Sequence, residues 1–523
     1  MENENNNTND NSYKHILKYT GVFASVQMLG MLVGVIRNKF TAIFLGPSGM
    51  GLLSLFNSTA SFVSSATNLG IPTSGVKIIA DSKGVADSKG VADSKNIAHS
   101  VVSAVSLVRS YSVVAAFLGL IVCACLGPLL NLFTFSWGDH TLHYILLAPT
   151  VFFTILAGGE TAVLKAMGQL RALATQASLL AIFSLMVSVP VYWLLGERGI
   201  LAVLFLVASC QWLLCLRFSR RIVHWHIDFS LKTLARGLPL LRLGVSFVLA
   251  GMMNSGAEFL VRAFLNTQGD LVMVGLFNAG VTIVVVYAGM VFSVMESDFY
   301  PRLSSVVGGR KESEAVRQRS VIINRQQEMN VLLIGPIAAM MILFLPIIIR
   351  VLYSSEFSGM LYMTQLASMA MLFKAIYLPI EYLPLSRGES RIFFFQESFC
   401  VILLIVCEIL GYMLFSSDSF LAAMPSWLPH DMDGLAGLGM GISLAYMIET
   451  LSVLFFSRVY YGYRMSRRAK GYVAFHFCVL SVLTIAAIVD GESYAYLIGA
   501  ALLCAVSAVF SLRFVRKLLR ADS

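Results

Sequence analysis

Charged residues are scarce in this sequence: Asp, Glu, Lys and Arg make up only 13% of its 523 residues, against roughly a quarter in soluble proteins. A soluble chain of this length would form several domains, each needing a charged surface. With 57% hydrophobic residues and a mean hydropathy of +0.77, the chain has too few charged residues to cover such surfaces. We therefore predict that most of its residues face lipid or one another in a membrane.

Motifs of enzymes and metal centres are also missing. The sequence contains no G-x-S-x-G, H-E-x-x-H, P-loop or C-x-x-C motif. Its eight cysteines fall inside apolar segments, where a thiol packs as a small hydrophobic group. We expect no enzymatic activity, no resident metal and no cofactor. Transport driven by ATP would need a nucleotide-binding domain, which the sequence does not contain.

The net charge of +9 does not indicate nucleic-acid binding, because Lys and Arg occur in short clusters between apolar stretches. Fourteen such stretches approach or exceed the roughly 20 residues that cross a bilayer as a helix. They lie at 17–44, 48–79, 99–128, 141–166, 170–195, 198–219, 239–265, 269–300, 327–353, 361–386, 391–416, 435–461, 471–490 and 493–514. The predicted fold class is an all-α polytopic membrane protein with about fourteen transmembrane helices.

The distribution of the basic clusters predicts the orientation of these helices. With both termini in the cytoplasm, nearly all of the 38 Lys and Arg residues lie on the cytoplasmic side, as the positive-inside rule requires. Only Arg198, Arg262 and Arg350 fall on the other side. A wrong number of spans would scramble this alternation, so an even number is favoured.

Short motifs recur about 220 residues apart, which indicates an internal repeat. Leu55-Phe56-Asn57 matches Leu276-Phe277-Asn278, and Gly168-x-x-Arg171 matches Gly388-x-x-Arg391. Each pair is six spans apart, so we predict two parallel six-helix repeats followed by two further helices. A tandem hexapeptide, Asp81–Ala86 and Asp87–Ala92, lies in the predicted first cytoplasmic loop, and we assign it no function.

The predicted organisation follows from the spans and the repeat. Residues 1–14 are polar and predicted to be a disordered cytoplasmic N-terminus without the features of a signal peptide. The remaining parts are an N-lobe at 15–222, a cytoplasmic linker at 223–238, a C-lobe at 239–461, an additional helix pair at 470–515 and a cytoplasmic tail at 516–523.

Ionisable side chains inside apolar spans are costly, which makes them candidates for function. Arg37 and Lys39 lie past the middle of the first span, where each either faces an aqueous cavity or extends to the interface. Asn57 and Asn68 belong to a polar stripe on the second span, which predicts either a wet lumen or contacts between helices.

The further charged candidates inside spans are Arg109, Glu160, Glu258, Arg262, Lys374 and Glu381, and Glu397, Glu408 and Glu449 are additional carboxylates that stay unranked. Glu258 and Arg262 are four residues apart on one helix face, so they could simply pair with each other. Glu160, Glu258 and Glu381 are candidates for coupling transport to an ion gradient.

Several segments resemble a known transporter family. Arg37-Asn-Lys-Phe-Thr-Ala-Ile-Phe-Leu-Gly-Pro-Ser-Gly-Met-Gly-Leu53 resembles the signature that closes the first helix of Wzx-type O-antigen flippases, and Asn68-Leu-Gly-Ile71 resembles their second-helix turn. Leu352–Phe357 resembles the segment after their ninth helix. These flippases belong to the multidrug/oligosaccharidyl-lipid/polysaccharide (MOP) exporter superfamily.

The resemblance implies two six-helix lobes around a cavity that opens alternately to each side of a bacterial inner membrane. The implied substrate is an undecaprenyl-diphosphate-linked oligosaccharide, and polysaccharide polymerase and assembly proteins are implied partners. Arg37, Lys39, Arg109, Arg262 and Lys374 would receive the diphosphate. Asn57 and Asn68 would bind sugar hydroxyls, and Glu160, Glu258 or Glu381 would couple transport to H⁺ or Na⁺.

Three alternatives stay open at this point. A multidrug antiporter of the same superfamily would need an acidic, apolar cavity for cationic drugs, which the basic first span disfavours. A flippase for the peptidoglycan precursor would share the diphosphate-lipid handle and fits the two extra helices. A membrane-embedded polymerase or ligase would need a large extracytoplasmic loop, and the longest one here, about Ser417–Gly434, is short.

Overall fold

The computed structural model describes residues 2–522 except 89–93, 136–138, 231–236, 288, 290, 293–298, 300–301, 305–311, 426–428, 430–431 and 492. All regular structure in these described residues is helical. Parts of the hexapeptide repeat, of the predicted linker and of the eighth predicted span therefore lie outside them. The chain divides into two compact units, Met1–Leu271 and Val272–Ser523.

The described residues of the first unit form eight α-helices and one short 3₁₀ turn at Gly196–Gly199. The helices are α1 Glu2–Thr67, α2 Ile71–Ser88, α3 Ser94–Leu132, α4 Thr141–Leu146, α5 Ala148–Ala166, α6 Leu170–Leu195, α7 Ile200–Arg220 and α8 Leu238–Gln268. Helix α1 starts within the residues for which the sequence predicts disorder. Helix α8, predicted to open the C-lobe, belongs to this first unit.

Helix α1 consists of two helical segments joined by a non-helical kink at Gly46, the first corresponding to the first predicted span and the second to about half of the second predicted span. Gly46 takes φ 63° and ψ −174°, a conformation open to glycine, and Pro47 starts the next segment. The kink lies at the predicted boundary between the first two spans, and a further break inside the second predicted span falls at Asn68–Gly70, where Leu69 and Gly70 both have positive φ. The Asn68 side chain accepts a hydrogen bond from the Gly70 N–H at 2.8 Å and stabilises this turn.

In its described part, the second unit forms nine α-helices, a π-helical segment at Thr282–Tyr287 and a 3₁₀ segment at Ser355–Met360. The helices are α9 Leu271–Val281, α10 Glu312–Leu352, α11 Leu361–Ser368, α12 Ala370–Ser386, α13 Ser390–Phe415, α14 Asp418–Ala423, α15 Gly434–Tyr461, α16 Arg467–Asp490 and α17 Tyr494–Asp522. Helices α16 and α17 are the predicted additional pair.

Among the described residues, nine helical segments are long and apolar enough to cross a membrane, or ten if the bent pair Ser355–Ser368 and Ala370–Ser386 is one span. Two of them, Leu29–Thr67 and Leu170–Arg220, each cover two predicted spans. The latter has 51 residues, and a straight helix of that length would reach about 75 Å across a hydrocarbon layer of about 30 Å. The breaks at Gly46 and Gly196 therefore separate successive passes.

Helical structure lies at each of the fourteen predicted spans, with α8 and the shorter α9 completing the set. The predicted class of an all-helical polytopic membrane protein is thus confirmed. The first unit buries a large apolar core whose members include Phe56, Tyr144, Val151 and Tyr192. This packing fixes α1, α3 and α5 relative to one another and so positions the charged residues between them.

Candidate functional site

Arg109 and Glu160 form a buried ion pair in the first unit. Arg109 on α3 is 1% exposed and Glu160 on α5 is 2% exposed. The guanidinium donates from Nε to Glu160 Oε1 at 3.0 Å and from Nη2 to Oε2 at 3.2 Å. It also donates to Ser219 Oγ and to the carbonyl oxygens of Val223 and His224. Both charges of the pair are therefore used in contacts within the protein.

The segment that follows α7 is attached to α3 through Arg109 and its neighbour Ser110. The Arg109 guanidinium lies 5.1 Å from the centre of the Trp225 ring. One residue along α3, the Ser110 hydroxyl donates to the Asp228 carbonyl and accepts from the Asp228 N–H, each at 3.0 Å. The described start of the predicted linker, Val223–Asp228, is therefore fixed to the first unit.

Arg262 on α8 is anchored to α1. Its Nε donates to Ser54 Oγ at 2.6 Å, and its Nη1 donates to the Glu258 carbonyl at 2.9 Å and to Glu258 Oε2 at 3.3 Å. The Arg262 side chain is 10% exposed, whereas that of Glu258 is 63% exposed. The predicted pairing of these two residues is present, and it leaves the carboxylate at an open surface.

Polar residues line this open surface on both helices. Asn57 and Ser61 on α1 are exposed, as are Asn254 and Glu258 on α8. The two helices are in direct contact here, since Phe62 stacks on Phe259 with ring centres 5.9 Å apart. We call Asn57, Ser61, Asn254 and Glu258, with Arg262 at their edge, the polar face.

The predicted second and seventh spans place the polar face at membrane depth. Glu258 is about ten residues from the end of α8 at Gln268, which is about 15 Å along a helix and half of a hydrocarbon layer of about 30 Å. Exposed amides, hydroxyls and a carboxylate at that depth find no partners in lipid. The polar face therefore has to meet water, a polar substrate or other polar protein groups.

The other predicted residues of the first unit lie elsewhere. Arg37 is half-buried, and its Nη1 donates to Ser184 Oγ on α6 at 3.4 Å. Lys39 is half-buried on the same helix. Asn68, which belongs to the predicted stripe, has its side-chain oxygen bonded in the turn after α1. The stripe is thus divided, since Asn57 and Ser61 are exposed while Ser64 is buried.

In the second unit, Glu381 belongs to a cluster of carboxyl groups. Glu381 on α12 and Glu449 on α15 are buried, and together with Cys400 on α13 they place possible ligand atoms within 4.8 Å of one another. The Glu397 carboxyl group lies close to that of Glu381. Lys374, one of the predicted cations, is half-buried with its Nζ 5.7 Å from the centre of the Phe292 ring. Repulsion between neighbouring carboxylates favours a bound proton or metal cation.

Asn254 and Cys400 take part in these sites and were not singled out from the sequence as functional residues. Asn254 is exposed on the polar face, and its spacing of four from Glu258 places both on one side of α8. Cys400 was interpreted as a packing residue, and its proximity to Glu381 and Glu449 depends on the packing of three separate helices. The spacing could have revealed Asn254, whereas no local signal marks Cys400.

Comparisons with known proteins define the fold. The structure is similar to an inward-facing multidrug resistance MATE family transporter of the MOP superfamily, with a TM-score of 0.66, 14% identity and coverage of 85% of this chain and 98% of that one. An outward-facing transporter of that family matches with a TM-score of 0.55 at 15% identity, over 85% and 96% of the two chains.

A third similar structure is a MOP superfamily transporter from Pyrococcus furiosus, described by a reverse polarity of its binding pocket; its TM-score is 0.56 at 14% identity, over 85% and 96% of the chains. No protein family model and no curated protein matches the sequence. The chain is therefore an all-helical, multi-pass membrane protein with the MATE-like fold of the MOP superfamily.

Proposed function

We propose that this protein is a flippase that moves an undecaprenyl-diphosphate-linked oligosaccharide from the cytoplasmic to the periplasmic leaflet by alternating access. The observation that carries the proposal is the polar face, a set of exposed amide, hydroxyl and carboxylate groups at membrane depth. The MATE-like fold supports a transport function, because structures of this fold are known in inward-facing and outward-facing conformations.

The chemistry of the polar face suits a sugar. Asn57 and Asn254 offer both donors and acceptors, Ser61 offers a hydroxyl and Glu258 accepts hydrogen bonds. Such mixed groups match the hydroxyls of an oligosaccharide. In this proposal the lipid tail stays in the bilayer.

The rival proposal of a multidrug antiporter is less well supported by this surface. A site for cationic drugs would be expected to carry excess negative charge and large apolar side chains. The acidic group of the polar face, Glu258, is paired with Arg262 at 3.3 Å, so the two charges compensate each other. The polar face therefore carries little net negative charge and mainly offers groups that form hydrogen bonds.

Localisation and orientation belong to the same proposal. Both termini would lie in the cytoplasm of a bacterium, with the chain in its inner membrane, because this arrangement places nearly all basic clusters on one side. A fluorescent protein fused after Ser523 should then fluoresce, whereas a periplasmic reporter fused at the same point should be inactive.

The test is to delete the gene in its bacterium and follow radiolabelled lipid-linked sugar precursors. We expect an O-antigen-type precursor to accumulate on the cytoplasmic leaflet and to be cleared by the wild-type gene. Asn57→Leu and Asn254→Leu should clear it poorly at normal protein levels, because each removes polar groups from the polar face. Leu260→Ala, an exposed apolar residue beside Phe259, is the matched control and should clear it normally.

The other outcomes separate the alternatives. Accumulation of the peptidoglycan precursor would assign that substrate instead. Normal surface polysaccharide together with new drug sensitivity would overturn the flippase proposal in favour of the antiporter.

A further inference from the structure

A cavity lies in the second unit, and its lining shares no residue with the carboxyl cluster around Glu381. Its volume is about 800 Å³, within the range of roughly 300–1,000 Å³ that is usual for small-molecule sites. It forms where the end of α10, the segment Ser355–Met360 and the start of α11 meet the turn between α16 and α17. The cavity lies at the C-terminal end of α16 and the N-terminal end of α17, whereas the basic residues Arg467 and Arg513 lie toward the other ends of these two helices.

Two buried polar atoms in the cavity wall have no hydrogen-bond partner among the described residues: Gln365 Oε1 and the Tyr496 hydroxyl. Gln365 is 2% exposed and Tyr496 is 9% exposed. A buried polar group without a partner costs free energy, typically as much as a lost hydrogen bond. Both positions line the cavity, so a molecule inside it can supply the missing partners.

The chemistry of the wall selects among possible ligands. The Gln365 oxygen only accepts hydrogen bonds, so its partner must be a donor. Phosphate and diphosphate groups offer no donor when fully ionised, and the nearby Asp490 carboxylate would repel them. A cation would supply a donor but would meet Arg350, which also lines the cavity.

A neutral sugar satisfies all of these groups. Its hydroxyls donate to Gln365 and Asp490 and accept from Arg350 and Tyr496. The rings of Tyr362 and Tyr496, with Pro346 and Ile347, offer apolar surface for the C–H faces of a sugar ring. We propose that this cavity is a binding site for a neutral oligosaccharide.

This site is separate from the polar face of the first unit, and the proposal does not depend on the transport function. The glycan could be free or carried on a lipid, since both forms present the same hydroxyls. The two sources differ in what must be supplied: a free trisaccharide in solution, or a glycolipid in the bilayer.

The test measures binding of neutral trisaccharides to the full chain in nanodiscs by saturation-transfer NMR. The probes are maltotriose, triacetylchitotriose and a rhamnose-containing trisaccharide, with inorganic pyrophosphate and choline as charged probes. A parallel sample contains a glucosyl diacylglycerol in the bilayer. We expect saturable binding of at least one glycan and none of either charged probe.

Variants locate the binding. Tyr496→Phe removes one oxygen and should weaken binding roughly three- to tenfold, the effect of one hydrogen bond. Gln365→Leu should do the same, while Gln365→Glu keeps an acceptor and should retain binding. Tyr494→Phe is the matched control, because Tyr494 lies on the same helix and is 85% exposed.

Three results would overturn the proposal. The first is that no glycan binds, and the second is that pyrophosphate or choline binds in place of the glycans. The third is that glycan binding survives both Tyr496→Phe and Gln365→Leu but is lost in Asn57→Leu. That last result would place the sugar on the polar face and leave the proposed transport function standing.

Discussion

Charged residues at membrane depth serve two different purposes in this protein. Arg109 and Glu160 use their charges on each other and on the backbone after α7, so they stabilise the first unit. Glu258 has a partner in Arg262 but keeps most of its side chain exposed. The distinction rests on exposure, because a charge that is fully surrounded by protein partners has no capacity left for a substrate.

Removing one member of the buried pair should destabilise the first unit strongly. Glu160→Ala leaves the Arg109 guanidinium buried without its counter-charge, at an expected cost of about 3–5 kcal/mol. The double variant Arg109→Met and Glu160→Met removes both charges and should be more stable than Glu160→Ala. Denaturant unfolding in detergent micelles measures the difference.

Lys165→Met is the matched control for this experiment, because Lys165 lies on the same helix and is exposed. Its unfolding free energy should change by no more than about 0.5 kcal/mol. If Glu160→Ala folded as stably as the wild type and lost only transport, Glu160 would be a functional residue, and the structural role assigned here would be wrong.

At the scale of helices, the additional pair α16–α17 is attached to the second unit by close packing around one histidine. His476 on α16 is fully buried, and its ring nitrogens lie 3.3 Å from Ser507 Oγ and 3.2 Å from Ser511 Oγ of α17. Helix α10 faces the ring with Gly335, where a Cβ atom would come within 2.3 Å of His476 Nδ1. Glycine at this position makes the approach possible.

Gly335→Ala should therefore loosen the attachment of the pair. The added methyl group overlaps the imidazole ring, and such overpacking usually costs about 1–3 kcal/mol. His476→Ala combined with Gly335→Ala should recover part of the loss, since the smaller side chain leaves room for the methyl group. Thermal unfolding of the purified protein checks both variants.

The comparison with Gly471→Ala separates packing from helix propensity, because Gly471 is on α16 and an added Cβ atom there meets nothing within 4 Å. That variant should be neutral or slightly stabilising. Equal destabilisation of Gly335→Ala and Gly471→Ala would contradict the packing explanation.

At the scale of the whole molecule, the two units carry different chemistry. The first bears the polar face, and the second bears the carboxyl cluster of Glu381 and Glu449 with Cys400. A transporter that uses an ion gradient needs a group whose binding of H⁺ or Na⁺ changes the stability of one conformation relative to another. The carboxyl cluster is suited to this task, because binding of a cation relieves the repulsion between its members.

We therefore expect Glu381→Gln to make transport independent of an imposed H⁺ or Na⁺ gradient. Glutamine keeps the shape of the side chain but cannot ionise. Transport of a lipid-linked oligosaccharide into proteoliposomes, with and without each gradient, is the measurement. Glu408→Gln, a buried carboxyl on α13, is the control and should keep the dependence. Retained dependence in Glu381→Gln would exclude this residue as the coupling group.

Much of the fold was already determined by the sequence. Apolar segments of bilayer length have few alternatives to helices, since lipid offers no partners to an open backbone. The helical spans follow from hydropathy for that reason, and even the break at Gly196 follows from the local sequence Gly196–Gly199. The turn at Asn68-Leu-Gly70 also depends on local chemistry, although the predicted second span ran through it to residue 79.

The roles of the charged residues were decided by the tertiary structure. A hydropathy scale shows that the charges of Arg109, Glu160, Glu258 and Glu381 are unfavourable inside a span. It does not distinguish a charge that has a partner from one that is exposed. Which of them is buried, paired or exposed depends on helices far apart in the sequence, as when α3 and α5 bring Arg109 to Glu160. The sequence could therefore state that these charges need partners, and only the packing of the helices decided which partners they have.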